Sequence, residues 1–116
     1  MNNDAIFFFS GAAHALPVYQ RLEEEILARC PETQVIVQKS QIAFSGKHRF
    51  AFASIKGKRF VVTFGLPERA EHPRIWQATE PYPGRWTHHV VVQRPEDVDE
   101  QLLAWIQAAY DFAMRK

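Results

Sequence analysis

The chain has 116 residues, 47% hydrophobic and 13% aromatic, with 14 Lys+Arg, 13 Asp+Glu and a net charge of +1. That is the length of one domain, 1–116, with enough core to fold without staples; the single cysteine, Cys30, excludes an intrachain disulfide and suits a reducing compartment. The near-zero total hides a division: residues 39–94 carry ten Lys/Arg against three acids, while 1–38 and 95–116 each carry two bases and five acids.

Met1-Asn2-Asn3-Asp4 lacks a basic leader, and Ile6–Phe9 is too short for a signal core or a membrane span. The chain therefore reads as soluble and cytoplasmic, with no membrane partner. Phe7-Phe8-Phe9 reads as an anchor or staple for the first helix. That helix begins around His14 to Leu16, with Pro17 tolerated in its first turn, and stops at Pro31. Leu16, Tyr19, Leu22, Ile26, Leu27 and Cys30 form its apolar stripe, with Glu23, Glu24 and Glu25 opposite.

The period then changes to two. Strands are expected at Gln34–Gln38, Gln41–Ser45, Arg49–Ile55, Arg59–Gly65 and Trp86–Val92, joined by short polar connections at Gly46-Lys47-His48 and Lys56-Gly57-Lys58. Ile42 and Phe44, Phe50 and Phe52, and Phe60, Val62 and Phe64 line one face. Ala43 and Ser45, Ala51 and Ala53, and Val61 and Thr63 line the other, with Arg49 and Arg59 at the strand starts. That second face suits a shallow basic binding surface or an ordinary solvent face equally well. Residues 66–85 run without a clear period, with room for a short strand or turn near 73–78 and a type II turn at Pro83-Gly84. A last helix opens at Arg94-Pro95-Glu96-Asp97 and carries Val98, Leu102, Trp105, Ile106, Ala109, Phe112 and Ala113 on its buried stripe, with Arg115 and Lys116 at its negative end. The sum is an α+β two-layer sandwich: about five mostly antiparallel strands, with the N- and C-terminal helices on one face.

No phosphate loop, dinucleotide fingerprint or nucleophile elbow is present, and Cys30 lies on an apolar stripe. His88 and His89 are neighbours on a strand, so they point to opposite faces and do not chelate one ion together. No cofactor or metal site is expected. Arg49, Arg59, Arg74 and Arg85 with Trp76, Trp86, His88 and His89 form a candidate surface, on the open sheet face and the 66–85 loop, for an anionic partner: a nucleotide, a nucleic-acid strand or an acidic protein segment. The same basic residues would otherwise pair with the acidic helices or guard sheet edges. Two other readings stay open. One is a homodimeric assembly protein using the sheet face, Trp76 or the Phe-rich N-terminus. The other is a small enzyme pairing His88 or His89 with Glu80.

Phe9-Ser10-Gly11, Lys39-Ser40-Gln41-Ile42-Ala43-Phe44, Phe50-Ala51, Leu66-Pro67, Arg85-Trp86-Thr87-His88-His89 and Asp97-Val98-Asp99 running to Leu103, Trp105, Ile106 and Tyr110 form a set. It resembles an uncharacterised bacterial domain of unknown function. That domain occurs as a C-terminal module of longer proteins, some labelled "predicted transport protein", and is similar to the YdhG-like domains. The resemblance implies helices packed on an antiparallel sheet and no secure activity. A chain without a spanning segment does not suit the transport label, and a basic sheet does not suit the iron-chaperone label of some YdhG-like domains.

Overall fold

The computed structural model describes residues 3–115. Met1 and Asn2, part of the leader reading, and Lys116, part of the C-terminal dipole reading, lie outside them. Among the described residues three α-helices, α1 (Asn3–Phe8), α2 (Leu16–Arg29) and α3 (Glu100–Met114), accompany six strands. These are β1 (Gln34–Val37), β2 (Ile42–Ser45), β3 (Arg49–Lys56), β4 (Arg59–Leu66), β5 (Ile75–Tyr82) and β6 (Arg85–Val91). They form one antiparallel sheet in the order β1-β2-β3-β4-β6-β5. The α+β class follows the sequence reading, with six strands rather than about five. The extra one, β5, lies in the stretch that showed no period.

Tight turns set the register. Gly57, at φ 66°, occupies the first of two loop positions between Lys56 and Arg59, where only glycine sits without strain. Gly84, at φ 83°, follows Pro83 between Tyr82 and Arg85, as a type II turn requires.

One irregularity changes which side chains reach the core. Phe44 pairs with Ala51, but Ser45 pairs with Arg49, so Phe50 is an extra residue on β3. A bulge puts two successive residues on one side of the sheet. Phe50 and Ala51 therefore both face the helices, and Ala53 follows them into the core. Phe52, expected beside Phe50, lies opposite Thr63 and Ala43 on the other face. The expected floor of small residues thus loses Ala51 and Ala53 and gains a half-buried phenylalanine.

The helices pack on one face. α3 lies over β3 and β4, its Tyr110 edge-on to Phe50 and its Trp105 stacked on Phe64. Tyr19 of α2 packs between Phe9 and Phe44. The phenylalanine triplet divides: Phe9 is buried, Phe8 is half-buried and Phe7 is exposed. Glu23, expected on the outer face of α2, is buried one turn after Tyr19, while Leu27 is exposed.

The last helix begins later than Pro95 suggested. Residues Pro95–Asp97 form a separate 3-10 turn, and Asp99 caps α3 by accepting from the Leu102 amide at 3.1 Å. The same carboxylate takes Arg74 Nη1 at 2.7 Å, and Arg74 Nη2 donates to the Asp97 carbonyl at 2.8 Å. Burial acts in the opposite direction, but the Leu102 amide and Arg74 together hold the Asp99 carboxyl below the ordinary aspartate value. A depressed carboxyl stabilises the fold above its unfolded pKa and loses that contribution as pH falls through the folded value. Asp99→Ala is expected to cost about 0.5–2 kcal/mol, the range for a lost N-cap, read as a lower urea midpoint at neutral pH. The difference from the unaltered chain should shrink at acid pH.

Candidate functional site

The sheet face away from the helices is positioned by register. Val61, Thr63 and Gly65 of β4 lie opposite Val91, His89 and Thr87 of β6, and Phe52 and Ser54 of β3 flank them. Arg49, Arg59 and Arg85 belong to this face. Arg49 reaches across to donate to Gln38 Oε1 at 3.3 Å. Arg59 sets its guanidinium over the Trp76 ring, 5.4 Å from the centroid, and Trp76 is 51% exposed. Arg85 lies flat on Gly65: a Cβ there would fall 2.8 Å from the Arg85 Cζ. Glycine leaves room for this close approach, and a Cβ there would push the flexible guanidinium aside rather than strain the strand.

Few carboxylates oppose these arginines. The six strands contain a single acid, Glu80, and it accepts from the Gly84 amide in the β5–β6 turn at 3.3 Å. Ion pairs among the described residues go elsewhere: Arg29 with Glu25 and Glu100, Arg74 with Asp99, and Arg94 with Asp97. Arg49, Arg59 and Arg85 have none.

The sequence-derived residues divide between the two layers. Arg49, Arg59, Trp76, Arg85 and His89 come together on the open face. Arg74 does not, because Asp97 and Asp99 hold it on the helix side. Trp86 lies opposite Leu66 on the helix face, under the Arg69 guanidinium at 5.7 Å. His88 is wholly buried, with Phe64 stacked at 5.2 Å, and its Nε2 accepts from the Ala70 amide at 2.9 Å. Residues outside the expected ligand-contacting set complete the open face. Thr63 shares a 2.9 Å hydrogen bond with His89 Nδ1, Gly65 seats Arg85, and Phe52 supplies apolar area. Thr63 was legible from alternation; Gly65 was not, because its role depends on a neighbouring strand.

Catalytic chemistry gains nothing from this arrangement. Glu80 lies beyond the Thr79–Thr87 rung from His89 and is bound to its own turn, while His88 faces the other layer. Among the described residues no cluster of three or more His, Cys, Asp or Glu side chains is arranged to hold a metal. No helix there is long and apolar enough to cross a membrane.

Both histidines titrate below the ordinary histidine value. Burial is the main cause for each. For His88 the Phe64 and Trp86 backbone partly offsets it, and His89 and Arg69 add to it; for His89 the added cause is Lys56. A histidine whose folded pKa is depressed favours the folded state at pH above 6.5, where both states are neutral. Stability then declines as pH falls from 6.5 through the folded value, because the unfolded chain takes up the proton first. His88→Phe keeps the stack on Phe64 but leaves the Ala70 amide unpaired. It is expected to cost about 1–3 kcal/mol and to flatten the pH dependence of the urea midpoint, leaving the share due to His89.

The sequence profile of the "Domain of unknown function (DUF5655)" family matches residues 7–113. The chain belongs to that family. No curated protein and no solved structure matches it.

Proposed function

We propose that this DUF5655 domain is a non-catalytic binding module whose open sheet face takes an anionic partner, with phosphate as the group its arginines suit best. The observation that carries the reading is the set of three arginines, Arg49, Arg59 and Arg85, none of them in an ion pair, on a sheet whose one strand carboxylate, Glu80, is engaged by the Gly84 amide. An unpaired guanidinium offers a planar fork of donors that matches phosphate. Arg59 over the exposed Trp76 adds an aromatic surface on which a base can stack. His89 and Thr63 supply polar contacts between these groups. This narrows the expected site by removing Arg74, Trp86 and His88 and adding Gly65 and Thr63. Kinship with the YdhG-like domains belongs to the same reading and is supported by the helices on one face of an antiparallel sheet.

The test is fluorescence anisotropy of short labelled single-stranded RNA and DNA, titrated with the chain at low and moderate salt. Binding is expected at low salt, with log affinity falling against log salt at a slope of about −2 for three arginine–phosphate contacts. Arg59→Glu with Arg85→Glu should abolish it, while Arg69→Glu, on the other layer, should not. Gly65→Ala leaves the charge unchanged but displaces the Arg85 guanidinium, so it should weaken binding without lowering the urea midpoint. Absence of binding at low salt removes nucleic acid as the partner, and affinity indifferent to salt removes the phosphate contacts altogether.

A further inference from the structure

We propose that two copies of this chain pair through the free edge of β1, as an antiparallel two-fold dimer with one continuous sheet. The two edges of the sheet are built differently. β5 contains Pro81, and its register slips between Ile75 and Gln77 and again between Thr79 and Tyr82. Prolines and bulges keep an edge from accepting another strand. β1 has neither: residues 34–38 read Gln-Val-Ile-Val-Gln, with no charge and no proline, and β1 pairs with β2 in unbroken register.

The sequence itself identifies the occupant. Those five residues read the same in both directions about Ile36. A two-fold contact needs a self-complementary surface, and an antiparallel strand pair centred on Ile36 is one. Gln34 then faces Gln38 of the second copy, Val35 faces Val37, and Ile36 faces Ile36. The backbone agrees. Gln38 donates its amide to the Gln41 carbonyl at 2.8 Å, so Gln38, Ile36 and Gln34 point their hydrogen-bonding groups at β2. Val35 and Val37 direct theirs outward. In the proposed register, Val35 of each copy exchanges both bonds with Val37 of the other.

Strand pairing alone covers too little surface, since stable interfaces bury about 1,200–2,000 Å². α1 supplies further apolar area beside the same edge. Phe7 is 78% exposed and, with Phe8 and Val37, walls a groove of about 410 Å³. An exposed phenylalanine next to an unguarded edge is surface that a second copy covers.

Size-exclusion chromatography with light scattering, over a dilution series of the full chain, is expected to give twice the chain mass at high concentration and the chain mass on dilution. Ile36→Lys and Ile36→Glu each place like charges opposite one another, so each variant alone should run at the chain mass. An equal mixture of the two should return to twice that mass, which a folding defect would not do. Phe7→Ser, at an exposed side chain, should move the dissociation midpoint to higher concentration. Amide exchange of the unaltered chain should slow at Val35 and Val37 when the protein is concentrated. A chain that stays monomeric at every concentration overturns the proposal. So does a dimer that both Ile36 variants retain, or Val35 and Val37 amides that exchange alike at all concentrations.

Discussion

Phe64 organises the part of this protein where β4 and β6 meet α3. Its ring stacks near-parallel on His88 of the neighbouring strand, at 12°, and on Trp105 of α3, at 19°. His72 meets Trp105 edge-on, and the Ala70 amide donates to His88. One phenylalanine thus ties β4, β6, α3 and the segment before β5 into a single packed layer. Arg74 closes the far end of that segment by gripping Asp99 and the Asp97 carbonyl. β5 and its exposed Trp76 take their position from this arrangement.

Covering one face only has an electrostatic consequence. The acids of the chain cluster in the helices and their flanks, while the strands hold Arg49, Lys56, Arg59 and Arg85 with Glu80 as their lone carboxylate. The folded protein therefore separates charge by layer. The helix layer pairs its own charges, as Arg29 does with Glu25 and Glu100. The sheet face keeps its positive charge unpaired, and its field extends about 8–10 Å into solvent at ordinary ionic strength. Exposed pairs contribute little to stability, so the separation bears on what the surface attracts far more than on how the chain folds.

The sequence carried the fold where alternation was unbroken and lost it where backbone geometry intervened. β2, β4 and β6 follow the period of two, and the opposed placing of His88 and His89 follows from it directly. Phe50 and Phe52 do not share a face, because the bulge that separates them leaves no trace in the pattern of residue types. β5 was legible only as room for a short strand or turn near 73–78, for a related reason. Most of its side chains are exposed, so it has no apolar side, and Pro81 with two register slips removes what period was left. The start of α3 was misread because Pro95 and Asp97 imitate a helix opening that Asp99 in fact provides. On the open face, Arg59 was legible from alternation, whereas the choice of His89 over His88 for that face came from the register of β6 on β4. The retreat of Arg74 to the helix layer depends on Asp99, the cap of α3, which lies 25 residues further along the chain.

The two edges and the two faces of the sheet belong to one argument. An antiparallel pair across β1 has its two-fold axis perpendicular to the sheet, so it sends both sets of helices to one side and both basic faces to the other. Pairing through the open face would instead press arginine on arginine, with the one strand carboxylate, Glu80, engaged by the Gly84 amide. Like charges facing each other across a desolvated contact are strongly unfavourable. The charge that suits the open face to an anion therefore argues against its use as a self-interface. What remains for self-association is the uncharged edge at the opposite side of the sheet from Trp76. Association there would leave the basic face uncovered and double its breadth.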